Sequence, residues 1–224
     1  MGPEPTSAAN PTIKVAIVDD EALVRTGFTH ILNASADIEV VAATDGEHAV
    51  ATIAESGPDV VLLDIQMPKK NGLEVLLELV AKHEHPVIAM LTTFDTDEYI
   101  ATALKSGASG FLVKDTDPVQ LPQLVRTLSG GGIVFSPIVS RKVISGFLGR
   151  EVGTDPAVLD LLTDRERTVL VRLAEGETNS EIGESLYLSV GTVKTHVSSI
   201  LAKLGIKTRV EAALVAERTG LLSK

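Results

Sequence analysis

The stretch that decides the fold is Val60-Val61-Leu62-Leu63-Asp64. Its apolar run predicts a strand buried on both faces, and the aspartate that follows places a carboxylate at one edge of a sheet. Two other runs have the same design, Val15-Ala16-Ile17-Val18-Asp19-Asp20 and Gly110-Phe111-Leu112-Val113-Lys114. Because α/β proteins carry their chemistry at the carboxyl ends of parallel strands, we expect these charged side chains to converge.

Short apolar runs alternate with amphipathic stretches on both sides of this segment. Strands are predicted over 13–18, 38–43, 59–64, 86–92 and 110–113. Helices are predicted over 21–33, 46–55, 72–83, 96–106 and 117–128. Five such units within about 120 residues predict a five-stranded parallel sheet with helices on both faces.

Composition places the chain among ordinary globular proteins. It has 224 residues, 44% of them hydrophobic and 22% charged, which is enough for one large or two small domains. The absence of cysteine excludes disulfides and thiolate metal sites. The sequence has no apolar run of 18 residues and no secretory signal, so we expect a cytoplasmic protein without a membrane span.

The domain organisation follows from changes in pattern. Residues 1–12 are expected to form a disordered tail, and 13–129 the α/β domain. Residues 130–158 have the pattern of a linker with one short helix near 137–148. From 159 to 224 the strand signals stop, and four helices are predicted over 164–174, 179–186, 190–204 and 208–218.

Charge divides the chain unevenly. The formal net charge is −10, and residues 159–224 carry nine basic and nine acidic side chains, so the excess of acid lies before them. No acid occurs between Ser185 and Val210, whereas Lys194, Lys203 and Lys207 do. A basic stretch in an acidic chain is a candidate nucleic-acid footprint.

The carboxylates predict a phosphoryl site. Asp19, Asp20 and Asp64 would repel one another at one sheet edge, and a hard cation such as Mg²⁺ relieves that repulsion. Lys114 could pair with Asp64 or with a phosphoryl group on it, and the Thr92 hydroxyl could donate to a phosphoryl oxygen. The alternative is that some of these acids are surface residues or a helix cap.

Residues 13–128 resemble the receiver domain of two-component response regulators. The motifs that carry the resemblance are Val18-Asp19-Asp20-Glu21, Leu63-Asp64-Ile65-Gln66-Met67-Pro68, Asn71-Gly72, Leu91-Thr92 and Lys114, in the order and spacing of the family. The resemblance implies a flavodoxin-like (βα)5 fold and phosphorylation of Asp64 by a sensor histidine kinase.

The same resemblance implies a role for each residue around Asp64. The Mg²⁺ ligands would be Asp20, Asp64 and the backbone carbonyl of Gln66 directly, and Asp19 through water. Thr92 and Phe111 would form a switch, in which the hydroxyl moves to the phosphoryl group and the ring follows inward. Lys114 would contact the phosphoryl oxygens.

The C-terminal helices have the pattern of a helix-turn-helix. Thr178-Asn179-Ser180-Glu181 has the spacing of a capping box, and Ser189 can cap the next helix. That helix would have a small polar outer face that includes Thr195 and Ser198, which suits entry into a DNA major groove. Spacing alone is equally compatible with an ordinary helical hairpin.

Residues 159–221 look like the LuxR/NarL-type DNA-binding domain. The resemblance is carried by Leu162-Thr163-Asp164-Arg165-Glu166, Ala174-Glu175-Gly176, Asn179, Glu181-Ile182, Leu188-Ser189, Thr192-Val193-Lys194-Thr195-His196-Val197 and Lys203-Leu204. It implies base contacts by Lys194, Thr195 and Ser198, and DNA-backbone contacts by Ser189, Thr192 and Lys203. It also implies a dimer helix containing Val210, Ala213 and Leu214.

The function expected from both resemblances is transcription regulation under phosphorylation control. The expected partners are a sensor histidine kinase, a pseudo-palindromic DNA duplex and a second copy of the chain, with RNA polymerase as a further candidate. The protein would not be an enzyme beyond accepting and losing phosphate at Asp64. Two alternatives are a phosphate-independent DNA binder with a vestigial receiver, which the complete acidic set disfavours, and a haloacid-dehalogenase-like phosphatase. Gln66 stands where such a phosphatase generally carries a second aspartate.

Overall fold

The computed structural model describes residues 12–82, 86–92, 97–136, 139 and 156–222. The first domain is built on one parallel sheet. Its strands are β1 (Ile13–Val18), β2 (Ile38–Thr44), β3 (Val60–Asp64), β4 (Val87–Thr92), β5 (Gly110–Val113) and β6 (Val134–Phe135). Their order across the sheet is β2-β1-β3-β4-β5-β6, so β3 is central and Asp64 lies at its carboxyl end.

Helices cover both faces of the sheet, as predicted. They are α1 (Ala22–Asn33), α2 (Ala49–Ser56), α3 (Gly72–Val80), α4 (Asp97–Ser106) and α5 (Leu121–Ser129). Alternate residues of β3 serve different faces: Val61 and Leu63 pack towards α2, α3 and α4, while Val60 and Leu62 pack towards α1 and α5. All residues of β3 are buried, which explains why its sequence is apolar without alternation.

The sheet has one short strand more than the five that the sequence predicts. The triple glycine at 130–132 does not end the sheet domain, because Val134 and Phe135 pair in parallel with Gly110 and Phe111 of β5. Gly131 has a φ of +80°, a backbone conformation that favours glycine, and it helps turn the chain back after α5. A strand of two residues is too short to show a periodic pattern, so the sequence does not predict it.

Two predictions fall largely outside the described residues. They are the tail at 1–12, of which only residue 12 is described, and the linker helix near 137–148, of which only Val139 is described. Val139 is buried and belongs to the apolar cluster on the α4 side of the sheet.

The second domain contains the four predicted helices, preceded by a 3-10 helix over Pro156–Leu161. The helices are α6 (Asp164–Ala174), α7 (Asn179–Leu186), α8 (Val190–Leu204) and α9 (Arg209–Arg218). Capping boxes start α6, α7 and α9 at Thr163, Thr178 and Thr208, and each satisfies backbone N–H groups that the helix leaves free. A separate apolar core holds these helices together. Within the described ranges, no helix is both long and apolar enough to cross a membrane.

The turn after Asp64 is fixed by a glycine. Asn71 and Glu74 form the capping box of α3, and Gly72 directly follows Asn71. The Gly72 N–H donates to the Ile65 carbonyl at 2.9 Å. A Cβ at Gly72 would lie 2.0 Å from the carbonyl oxygen of Asp64, so the backbone of the acidic strand passes too close for any side chain.

Replacing Gly72 by alanine therefore tests how tightly this turn holds the strand. We expect Gly72→Ala to lower the free energy of unfolding of the sheet domain by roughly 2 kcal/mol, as overpacking does in a close-packed interior. Urea unfolding followed by circular dichroism measures this.

Gly27→Ala is the matched control. Gly27 lies inside α1, its backbone is helical, and a Cβ added there would have no atom within 4 Å. Alanine at this position should raise stability by about 0.5–1 kcal/mol. Equal effects of the two substitutions would show that the close approach at Gly72 does not matter.

Candidate functional site

The strand ends bring the predicted acids together. Asp19 follows β1 and is fully buried, Asp64 closes β3 and is 2% exposed, and Asp20 is exposed beside them. One carboxylate oxygen from each lies within 4.8 Å of the others. β1 and β3 are neighbours in the sheet, with Val18 opposite Leu63, and this pairing sets the separation.

Lys114 lies at the centre of the negative charge. Its Nζ atom is 3.0 Å from Asp64 Oδ2, 3.0 Å from Asp19 Oδ2 and 3.0 Å from Glu21 Oε1. Burial lowers the pKa of Lys114, but its contacts with the three carboxylates outweigh burial and raise that pKa above its usual value. The lysine is therefore a fixed cation among more negative groups than it can neutralise.

The pKa of Asp64 is raised, and the excess of negative charge contributes to this change. Burial raises the pKa of its carboxyl to about 6, the Lys114 contact opposes that rise, and the charge of Asp19 adds to it. Asp19 Oδ2 is buried without a directed hydrogen bond, although Lys114 is close by. Clustered carboxylates whose charge one lysine does not balance fit a hard divalent cation, which prefers oxygen ligands.

Two residues without a predicted role shape the loop after β1. The Arg25 guanidinium donates to the carbonyl oxygens of Asp19 at 2.6 Å and Asp20 at 3.0 Å. The Glu21 N–H donates to Asp19 Oδ1 at 2.9 Å, while its carboxylate reaches Lys114. Arg25 could have been identified from the sequence by its position in the first turn of α1, shortly after the paired aspartates.

The other predicted residues of this site lie at or near the same edge. Gln66 is exposed, and its N–H lies 3.3 Å from Asp64 Oδ1. Thr92 ends β4 and is 6% exposed, and its carbonyl accepts from the Lys114 N–H at 3.0 Å. Phe111 is fully buried in the cluster beneath α4, with its ring centroid 6.4 Å from that of Phe135.

The outer face of α8 carries the predicted DNA residues. Lys194, Thr195 and Ser198 lie outside the domain core, whereas Val193 is buried within it. The Ser189 hydroxyl accepts from the Thr192 N–H at 3.1 Å and also bonds the Thr192 hydroxyl at 2.8 Å, so these two side chains cap the helix.

Lys203 has an intramolecular partner. Its Nζ atom donates to Glu166 Oε2 at 2.7 Å, and the Ser199 hydroxyl donates to Glu166 Oε1 at 2.6 Å. Both contacts lower the pKa of Glu166, to about 2, and the contact with Lys203 has the larger effect. A buried acid that ties α6 to α8 was not predicted, and the DNA-backbone role of Lys203 stays a prediction.

The predicted dimer helix α9 packs partly on the sheet domain. Val210 is buried in the same apolar cluster as Ile100 and Ala103 of α4, and Leu214 packs against that cluster. Ala213 instead packs against the core of its own domain. The face of α9 that includes Val210 and Leu214 is therefore covered in this conformation.

A second contact joins the domains at the triple glycine. The Asn179 N–H, in the first turn of α7, donates to the Gly130 carbonyl at 2.8 Å. Nearby, Lys194 lines a crevice together with Asp59 and Lys82 of the sheet domain. Lys194 of α8 and part of α9 thus both lie against the first domain.

Comparisons with known proteins agree with this architecture. The chain matches the response regulator receiver domain over residues 15–126 and the bacterial regulatory proteins of the luxR family over residues 160–216. It is 37% identical over 212 residues to the uncharacterized transcriptional regulatory protein YxjL of Bacillus subtilis (strain 168), covering 94% of this chain and 97% of that protein.

Two further relatives match over nearly the whole chain. The transcriptional regulatory protein LiaR of Bacillus subtilis (strain 168) is 35% identical over 212 residues, covering 94% of this chain and 100% of LiaR. The crystal structure of the response regulator ChrA, from a heme-sensing two-component system, superimposes with a TM-score of 0.52 at 32% identity, covering 95% of this chain and 100% of that one.

The raised pKa of Asp64 gives a pH-dependent prediction for stability. The folded pKa of about 6 exceeds the ordinary value, so the folded state holds this proton more tightly and wild type loses stability as pH rises through about 6. In a chelating buffer, Asp64→Asn should therefore raise the free energy of unfolding at pH 7.5 by up to about 3 kcal/mol. The gain should shrink towards pH 4.5, where Asp64 is protonated in wild type. Urea unfolding of both proteins at the two pH values checks this, and a gain independent of pH would contradict it.

Proposed function

This chain belongs to the response regulators that join a receiver domain to a LuxR-type DNA-binding domain, and we propose that phosphorylation of Asp64 by a sensor histidine kinase controls its binding to DNA. The observation that supports this most strongly is the buried Asp64 carboxylate with Lys114 Nζ 3.0 Å away and two further aspartates beside it. The proposal places the protein in the cytoplasm, where chromosomal DNA is available to it.

The acidic cluster would hold Mg²⁺ through Asp20, Asp64 and the backbone carbonyl of Gln66, with Asp19 acting through water. When bound, the cation would supply positive charge against the carboxylates and the incoming phosphoryl oxygens. Arg25 supports the same site. Its guanidinium donates to the carbonyl oxygens of Asp19 and Asp20 and so fixes the loop that carries both acids.

The phosphoryl group would pass from a kinase histidine to Asp64. A carboxylate oxygen of Asp64 attacks the phosphorus, the phosphorus–nitrogen bond breaks, and its electron pair returns to the imidazole. Lys114 then exchanges its contact with Asp64 for one with a phosphoryl oxygen. The Thr92 hydroxyl moves to donate to another phosphoryl oxygen. The Phe111 ring beneath α4 then follows inward.

Phosphorylation would release the DNA-binding domain. Because α9 packs on α4 and Phe111 lies in the cluster beneath α4, a change in that cluster bears directly on the domain contact. A coupling of about 1–3 kcal/mol is typical of such regulation. Release would free Val210 and Leu214, and α9 would then pair with its copy through these residues and Ala213.

A two-fold dimer presents two recognition helices to a pseudo-palindromic site. Lys194, Thr195 and Ser198 of α8 would read bases, while Ser189, Thr192 and Lys203 would contact the DNA backbone. RNA polymerase is a further candidate partner at the promoter.

A small phosphodonor tests the proposed function. Wild-type protein treated with acetyl phosphate and Mg²⁺ should gain the mass of one phosphoryl group, shift towards a dimer in size-exclusion chromatography and bind DNA more tightly. Asp64→Asn should show none of these changes, because it lacks the attacking carboxylate. Phosphorylation of the Asp64→Asn protein, or no change in any readout for wild type, would contradict the proposal.

Opening the domain contact should mimic phosphorylation. A Cβ at Gly131 would lie 2.3 Å from Asn179 Nδ2, and Asn179 is held in place by Arg209 at 3.0 Å. We expect Gly131→Ala to push α7 away, to enlarge the hydrodynamic radius and to raise the DNA affinity of unphosphorylated protein severalfold. Gly176→Ala is the control, since Gly176 also has a positive φ but has nothing within 4 Å of an added Cβ. Equal DNA affinities for the two variants would exclude this contact as a brake.

A further inference from the structure

Tyr187 occupies a backbone position that suits glycine. It ends α7 in the left-handed conformation, with φ 56° and ψ 45°. The other helices that end with a left-handed residue are α2 and α8 among the described elements, and they use Gly57 and Gly205 there. A tyrosine in this conformation costs free energy that glycine avoids, so the side chain must contribute something in return.

Packing does not explain the tyrosine. Tyr187 is 96% exposed, more than any other large hydrophobic residue in the part of the chain that the structure describes. The next residue, Leu188, instead packs against the domain core. The Tyr187 side chain therefore adds little to the core of this conformation.

Several groups of this domain that could bind phosphate already have partners within it, among them the proposed backbone contacts Ser189, Thr192 and Lys203. The hydroxyls of Ser189 and Thr192 bond each other, so one of their two protons is used internally. Lys203 is paired with Glu166, and the half-buried Arg209 donates to Asn179 and to the Glu177 carbonyl. Because Lys203 and Arg209 are already paired, an uncharged donor at the turn adds a phosphate contact without breaking either pair.

We propose that Tyr187 is a DNA-backbone contact, whose phenol hydroxyl donates to a phosphate beside the major groove that α8 enters. The inference rests on the proposed function, since it requires that this domain binds duplex DNA. Tyr187 lies in the turn between α7 and α8, two residues before the helix cap at Ser189. A donor in that turn sits where a helix-turn-helix approaches the sugar-phosphate backbone. The contact positions the domain and carries no sequence information.

Three variants of the full-length protein test this. Binding is measured by fluorescence anisotropy with a labelled random-sequence DNA duplex, after acetyl phosphate and Mg²⁺ treatment, over a series of salt concentrations. Tyr187→Phe removes only the hydroxyl and should weaken binding about fivefold at every salt concentration. Because no charge is lost, the slope of log affinity against log salt should be unchanged. Lys194→Ala should instead flatten that slope, since a positive charge on the surface that faces the DNA is removed.

Tyr187→Gly separates function from folding. Glycine relieves the left-handed backbone, so the urea midpoint of the DNA-binding domain should rise while DNA affinity falls at least as far as in Tyr187→Phe. Loss of affinity together with a lower midpoint would show a merely structural role and overturn the inference. So would wild-type affinity in Tyr187→Phe.

The proposed function can fail separately. If wild type shows no salt-dependent DNA binding and Lys194→Ala changes nothing, the proposed function and the role of Tyr187 both fall. If wild type binds and Lys194→Ala weakens binding while both Tyr187 variants bind normally, only the role of Tyr187 falls.

Discussion

The contact of Lys114 with three carboxylates is the interaction on which the proposed phosphoryl site depends. One ammonium group lies 3.0 Å from Asp19, Asp64 and Glu21, and it faces more negative charge than it can balance. The unbalanced charge adds to the effect of burial in raising the pKa of Asp64. Added positive charge would stabilise this site, and Lys114 can exchange a carboxylate oxygen for a phosphoryl oxygen. Both properties suit a carboxylate that accepts a phosphoryl group.

The second domain is connected to this site through packing. Phe111 lies on the same strand that leads to Lys114 and shares an apolar cluster with α4, and Val210 of α9 enters the same cluster. The hydrogen bond from Asn179 to Gly130 adds a second attachment at the end of α5. Short-range packing contacts of this kind have discrete arrangements, so a small change beneath α4 can favour separation of the domains.

Strand-end chemistry was readable from the sequence because it follows from local patterns. Apolar runs placed Asp19, Asp64 and Lys114 at one sheet edge, and the sequence pattern gave the bounds of α6, α7 and α8 correctly. The two-residue strand β6 was missed because it has no period. Contacts such as Glu21 with Lys114 and Glu166 with Lys203 depend on side-chain directions across distant elements. The packing of α9 on α4 joins two helix surfaces that are distant in sequence, and no local pattern in either helix indicates its partner.

Hydrogen exchange at the domain contact tests the central claim most directly. The claim is that charge balance at Asp64 controls the attachment of the DNA-binding domain. Amide exchange in the first turn of α7, which includes the Asn179 N–H, should accelerate when wild-type protein is treated with acetyl phosphate and Mg²⁺. The same treatment should leave exchange in Asp64→Asn unchanged. Equal protection of this turn in phosphorylated and unphosphorylated wild type would contradict the account.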